Sequence, residues 1–431
     1  MANTATDGTS AALDSRRPLL ATEDVAAFSR TLGEAPMGAQ WRQRAAEVAA
    51  TIDYPDRVRH LWKYTDPGRL APQRSLLQVP QEVAPFDLPD TPAVLIQPGR
   101  APQPNAAAIA SGIEVRALLH QDADVEWIGR AVPADHGYFE AMNAAAFNAG
   151  VLVRIPRRHV AEAPLRLVMA AEAGRDVLPR VLVIAEESSQ ATVVEDHTGG
   201  GDGAVVIGVT ELLAGDNADL HHVLVQRWQD GTVGHLTHRA EVSRDGKYLG
   251  AIAGFGGDVA KADLGGILAG PGARSEMIGV TLPDRRQRLD HHTLHRHTSG
   301  HTWSNIDFKA AVSGRARSAY TGLLRIEANA PSSEAYQENR NLLLSERAHA
   351  DTIPELEILT DEVSCSHGAT AAPIDPEQIF YLQSRGIPAD RALRLVVRGF
   401  VEPTLQQVPG GLRAELEELV EERLARLEGS A

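Results

Sequence analysis

The sequence predicts a mainly β protein, a long strand-rich body held between helical ends. Three observations carry that. From about 150 to 360, apolar β-branched or alternating runs follow one another, among them VLVRI, PLRLVMA, RVLVIAEE, AVVIGVTELLA and YLGAIAGFG. Turn clusters such as GGGDG, GDNAD, RDGK and GPGA split those runs, and that punctuation marks short strands. Helical periodicity is nearly absent inside this stretch and returns on either side of it. No exact repeat motif is visible, so a sandwich, a barrel and a parallel β-helix all fit the pattern.

The elements follow in chain order. Residues 1–20 open with MANTATDGTSAALDSRRP, which is polar and rich in small residues, and read as a disordered tail. The stretch lacks the charged-then-apolar order of a signal peptide. Residues 21–145 form a helical and irregular region. Thr22 is placed to cap TEDVAAFSRTL, and Trp41, Ala45, Val48 and Ala49 mark one face of a second helix. RVRHLWKYTDPGRL follows, and then a Pro-rich stretch from about 78 to 110 with one apolar strand at Ala93–Ile96. The β body spans 146–373. A helical region, 374–431, closes the chain. There Asp375 is an N-cap and Pro376 an N1 residue, with a stop at Gly386. ADRALRLVVRGF restarts a helix that should end near Gly399. Leu412, Leu416, Leu419, Leu424 and Leu427 give a last helix its apolar stripe.

Composition narrows the function classes. The net charge of −15 argues against a nucleic-acid surface, which needs a local excess of Lys and Arg. The short basic patch of Arg285, Arg286 and Arg288 does not change that. No apolar run reaches the ~18 residues of a membrane span. A single cysteine in 431 residues excludes an internal disulfide and suits a reducing cytoplasm. No G-x-x-x-x-G-K-[ST] loop occurs, so no ATP is expected to bind this chain. One cysteine also cannot hold an iron–sulfur cluster that usually takes four.

Two places could carry chemistry. DHHTLHRHTSGH puts His291, His295 and His297 on one face of a strand. The His295-x-His297 pair could chelate a first-row metal, as in a cupin-like metal-dependent enzyme, or could simply bond neighbouring strands. His221, His222, His235 and His238 read as surface or pairing residues, and Trp228 and Trp303 as core or interface anchors. The other place is DEVSCSHGAT. In an extended segment Cys365 and His367 point the same way, but no third group for a Cys–His nucleophile is evident. By chemistry alone Cys365 reads as a buried structural thiol. The apolar and basic helix with Leu393, Leu395, Val396 and Val397 is better suited to docking a protein than to reading DNA.

At this point NRNLLLSERAHADTIPELEILTDEVSCSHGATAAPIDPEQIFYLQSRGIPADRALRLVVRGFVEPTL resembles the SufB/SufD family of iron–sulfur cluster assembly proteins. RVRHLWKYTD is similar to the family's W-[RK]-Y-T element, and FNAGVLVRIPRRHVAEAPLRL to its entry into the β body. The resemblance covers most of the chain and is weakest before residue 55. Where SufB-type chains carry a cysteine in G-D-x-C-x-A-H-T, this chain has Ala348, and it reads C-S-H-G-A-T where they read H-E-A-T. It therefore resembles the SufD form, with a SufB-type paralogue as the alternative.

The resemblance implies a right-handed parallel β-helix core flanked by N-terminal and C-terminal helical regions. It implies a non-enzymatic scaffold that pairs with a SufB-like subunit through the β-helix ends and binds a SufC-like ATPase through the C-terminal helices. A transient iron–sulfur cluster would form at the shared interface, with His367 as a ligand and Cys365 beside it. Phe380, Tyr381, Arg385, Leu393, Val397 and Phe400 would form the ATPase-binding surface. Glu355 and Glu357 would project together, more as surface charge than as ligands. The resemblance leaves open a homodimer of this chain alone and a reduced flavin in the assembled complex.

Overall fold

The structure is a computed structural model that describes residues 20–58, 60–72 and 76–427. The tail expected at 1–20 lies outside the described residues apart from its last position. The body is a parallel β-solenoid of about 8 turns. Each strand pairs in parallel not with its sequence neighbour but with the next strand but one. Thus Asp219–Gln229 pairs with Lys247–Gly254, which pairs with Arg274–Thr281, then Trp303–Val312, Ser333–Leu343 and Val363–Pro373. The alternate strands build the facing sheet, from Ala149–Ile155 through Pro179–Ala185, Val205–Ala214, Val233–Val242, Val259–Leu268, Arg288–His297 and Arg317–Ile326 to His349–Ile358. Parallel strands need a crossover between them. Here the crossover is a strand of the opposite sheet, which explains why helix signals vanish across this stretch.

The repeat that the sequence hides is a backbone one. Ser188, Asn217, Asp245, Gly272, His301 and Ser332 all take left-handed φ, one coil after another. Each donates its backbone N–H to the chain of the next coil: Ser188 to Asp216, Asn217 to Arg244, Asp245 to Pro271, Gly272 to His301, His301 to Pro331 and Ser332 to Glu362. At Gly272 an added Cβ would lie 2.0 Å from Asp245 Oδ1, so a larger residue there would have to displace the Asp245 carboxylate, and glycine takes this φ at least cost.

The solenoid interior is layered. At the N-terminal coils Val151, Val153, Leu167, Val183, Val193, Leu212 and Leu220 form an aliphatic core. Toward the C-terminal coils Leu224, Leu236, Leu264, Met277, Ile306, Phe308 and Tyr320 form another. Helices α1 (Thr22–Leu32) and α2 (Pro36–Thr51) cover the start of the body. Helix α3 (Ala106–Ala110) is short, and α4 (Tyr138–Ala146) is buried along its whole length. The sequence pattern gave no helix at α4, because burial on all sides removes the polar stripe that marks amphipathic helices. Thr22 is the first residue of α1, and Ala21 takes the N-cap position without a side-chain bond, so the expected Thr22 cap is not made.

At the other end, α5 (Pro376–Ser384) starts as expected. Asp375 accepts from the Glu377 N–H, and Gly386 turns with φ 84°. Helix α6 (Ala389–Leu405) does not stop at Gly399 but runs on to Leu405. Val401 and Leu405 are buried against Val223, Val225, Ala253 and Val280 on the outer face of one sheet. Two such burials stabilise by about 1.5–3 kcal/mol each, more than the ~1 kcal/mol that a mid-helix glycine costs. Helix α7 (Gly410–Leu427) lies along the same face through Leu412, Leu416, Val420 and Leu424.

Candidate functional site: the open end of the solenoid

Strand Val363–Pro373 ends one sheet and His349–Ile358 ends the other. Among the described residues, no strand pairs with their outer edges. Two rows of backbone N–H and C=O groups are therefore left for another partner. Leu356, Ile358 and Leu359 are exposed beside them.

Register places the two predicted side chains. Cys365 pairs with Ala335 and His367 with Gln337. Ala335 and Gln337 are buried in the interior of the preceding coil. Cys365 and His367 thus continue the interior face onto a coil that nothing covers, and they share one side as the alternation predicts. Cys365 is half-buried and packs against the C-terminal core. Burial raises its thiol above the ordinary value, against a backbone hydrogen bond at Ala335 that lowers it. It is a neutral thiol, not a poised nucleophile. His367 is exposed, and its imidazole makes no side-chain hydrogen bond among the described residues. Gln337 donates to the Gly322 carbonyl at 3.3 Å, and its Oε1 is buried without a partner just inside the opening.

Glu355 and Glu357 are ion-paired surface groups. Glu355 lies 3.4 Å from His60 Nε2, and Glu357 accepts from Arg325 at 2.9 Å. The helical residues divide. Phe380 is 71% and Tyr381 58% exposed, Arg385 stacks 5.3 Å from the Tyr381 ring, and α5 buries no residue. Leu393 and Phe400 are half-buried against this chain's own sheet, with Lys309 5.7 Å from the Phe400 ring. Val397 is 0% exposed in the same contact, so it belongs to the body and not to an external surface. The reason is helical phase: Val397, Val401 and Leu405 fall four residues apart on the face turned to the sheet.

The His295–His297 metal reading is overturned. The sheets are parallel, not the antiparallel jelly roll of a cupin. Both ring nitrogens of His297 meet hydroxyls, Thr302 Oγ1 at 2.7 Å and Ser304 Oγ at 2.8 Å, and His295 Nε2 meets Ser275 Oγ at 2.9 Å. Burial pushes His295 down to about 3 and His297 to about 4, so both stay neutral. They are core imidazoles bonded to neighbouring coils.

Of the four histidines read as surface or pairing residues, three are inside and pair there. His222, His235 and His238 are buried, and only His221 stays partly exposed, 3.2 Å from Asp219. His235 meets Glu140 of α4 at 3.1 Å, and Thr237 donates to the same carboxylate. Burial would raise the Glu140 carboxyl, but His235 and its neighbours hold it at about 2. His222 and His238 converge on Glu195 from opposite sheets. Outside the facing sheet, the W-K-Y-T element lies over a buried ion pair. Trp62 stands 5.1 Å from Lys261 Nζ, and Thr65 donates to Asp290 at 2.6 Å, which pairs with Lys261 at 3.5 Å. These carboxylates carried a faint sequence signal, since Glu195 interrupts the apolar run ATVVEDH. Their partners come from distant coils and could not be read.

The fold and this end define a parallel β-solenoid with a terminal coil that no strand caps among the described residues and that presents a cysteine and a histidine. Comparison with known proteins agrees with that class. The family model for the SUF system FeS cluster assembly SufBD core domain matches residues 168–400. An iron–sulfur cluster assembly SufBD family protein of Mycobacterium tuberculosis is 34% identical over 278 residues, 62% of this chain and 69% of that protein. The iron–sulfur cluster assembly protein SufD of Bacillus subtilis is 30% identical over 298 residues, 68% of each chain. A chloroplastic SufBD family protein of Arabidopsis thaliana is 27% identical over 324 residues, 72% of this chain and 57% of that one. The chain belongs to the SufB/SufD family of SUF-system iron–sulfur assembly proteins, and within it is SufD-like.

Proposed function

We propose that this chain is a non-catalytic scaffold subunit of iron–sulfur assembly, acting in a reducing, cytoplasmic setting. Its open solenoid end joins a SufB-like subunit there, and a nascent cluster is the shared cargo. One observation supports this above the others: the terminal coil is uncapped and presents Cys365 and His367 from the interior face beside two unpaired strand edges. Unpaired edges add strands from a partner, so a second solenoid end can continue both sheets. A cluster that usually takes four ligands would take one or two here and the rest from the partner. His367 is the more accessible donor. Cys365 must give up its proton to solvent before its thiolate can bind iron, and burial disfavours that loss.

The exposed aromatic face of α5, Phe380 and Tyr381 with Arg385, is the docking surface for a SufC-like ATPase. Leu393 and Phe400 of α6, half-buried on this chain's own sheet, lend that surface only their exposed parts, and ATP is hydrolysed by that partner alone. The residues at the sister-subunit positions, Ala348 and the Cys365–Thr370 segment, favour the SufD role over the SufB role.

The test is anaerobic reconstitution with SufB- and SufC-like partners, with and without His367→Ala. The expected result is a complex of unchanged size whose iron and acid-labile sulfide collapse. A variant complex holding wild-type iron and sulfide makes the subunit an adaptor and removes His367 from the site.

A further inference from the structure

We propose that Glu195, His222 and His238 form a buried site for one first-row divalent cation of the zinc class, inside the solenoid and separate from its open end. Glu195 lies on strand Gln190–Gly200 and His222 on the adjacent Asp219–Gln229. His238 comes from Val233–Val242 in the facing sheet. The three side chains fill a polar layer between the two apolar interior cores, and each is at least 97% buried.

Donor spacing carries the assignment. One ligand atom from each residue lies within 4.8 Å of the other two. His222 Nε2 is 3.1 Å from one Glu195 oxygen, and His238 Nε2 is 3.5 Å from the other. A tetrahedral cation with bonds of ~2.1 Å holds its donors about 3.4 Å apart, so two imidazole nitrogens facing one carboxylate, all within 4.8 Å, need only small side-chain shifts to share an ion. Two imidazoles and a carboxylate are also the donor set that first-row divalent ions take.

A second observation points the same way. His238 Nε2 is buried, faces the carboxylate and makes no hydrogen bond. A buried polar atom without a partner is destabilising, and a bound cation would satisfy it.

The surroundings resemble a supporting shell. Thr210 Oγ1 lies 2.9 Å and 3.1 Å from the two Glu195 oxygens, and His197 Nε2 meets the carboxylate at 2.7 Å. Such bonds orient a ligating carboxylate. Thr210 is also the direct strand partner of His238, so one pair of coils positions both. The site is not part of the cluster end. Six strand steps separate Gln190–Gly200 from Val363–Pro373, about 29 Å at ~4.8 Å per step. With all three donors at least 97% buried among the described residues, the ion would enter while the coils close.

The experiment is metal analysis of the full chain produced in medium supplemented with Zn2+ or Co2+ and washed with chelator. Comparison chains are His222→Gln, His238→Gln and the Cys365→Ala/His367→Ala double variant. Wild type and the double variant should each retain about one equivalent, with a tetrahedral Co2+ visible spectrum, and the two glutamine variants less than about a tenth. Circular dichroism confirms that the glutamine variants are folded. If they do not fold, wild-type content decides alone. Folded wild type holding less than about a tenth of an equivalent overturns the site and leaves a buried hydrogen-bonded network. So does equal retention by His222→Gln and His238→Gln. The double variant makes the outcome independent of the cluster-ligand reading.

Discussion

Lowering the pH from 7.5 to 5.5 should destabilise this protein steeply, through histidines that are buried neutral. Burial pushes His238 and His295 down to about 3, and His291 and His297 to about 4, from the ordinary 6.5. The unfolded chain therefore binds protons that the folded one refuses. Stability is complete above 6.5 and is lost as pH falls toward the folded values. At pH 5.5 each histidine contributes about 1.4 kcal/mol of loss, since one pKa unit corresponds to ~1.36 kcal/mol. Four of them remove about 5 kcal/mol, comparable with the whole stability of a typical domain. Below 4.5 a second loss follows. Glu195 and Glu140 lie below their ordinary value in the fold, so their contribution vanishes as they are protonated. Urea midpoints of protein unfolded and refolded in the presence of chelator, at pH 7.5, 6.5 and 5.5, measure the first phase. His295→Gln should bind one proton fewer on unfolding and flatten the slope by about 1.4 kcal/mol per pH unit. A stability that changes by less than ~1 kcal/mol between pH 7.5 and 5.5 would refute the buried neutral state of these rings.

Other substitutions probe the joints of the fold. Arg180 pairs with Glu211 at 2.6 Å with both side chains wholly buried, and Glu211 also accepts from the N–H groups of Gly129, Ala131 and Val132. Arg180→Met should cost about 3–5 kcal/mol in urea unfolding, with part recovered in Arg180→Met/Glu211→Gln; no difference between the two would discount the uncompensated charge as the cause. Gly256 lies so close to Trp228 that an added Cβ would sit 2.2 Å from its backbone oxygen, so Gly256→Ala should lower the melting temperature; an unchanged melt would mean the coil yields freely. Phe380→Ala/Tyr381→Ala removes exposed rings and should leave stability within ~0.5 kcal/mol while weakening capture of a SufC-like ATPase. Full retention of that capture would move the docking surface off α5.

Much was legible before any coordinates. Runs such as AVVIGVTELLA announced strands, Asp375-Pro376 announced the start of α5, and alternation put Cys365 and His367 on one side. These are local signals, set by residue type and by a period of two or 3.6. The family was legible too, because SCSHGAT and its flanks form one contiguous string. The coil repeat was not, since Ser188, Asn217, Asp245, Gly272, His301 and Ser332 share a backbone conformation but no side chain. Nor could sequence show that Val397 turns inward, because the sheet it meets is built from strands far earlier in the chain, Trp303–Val312 among them. The Glu195–His222–His238 layer is the clearest case. Parallel stacking brings residue 195 beside 222, and closure of the coil brings 238 across to both. Only the tertiary structure decided that these histidines leave water, because their burial depends on the coils closing around them and not on their neighbours in sequence.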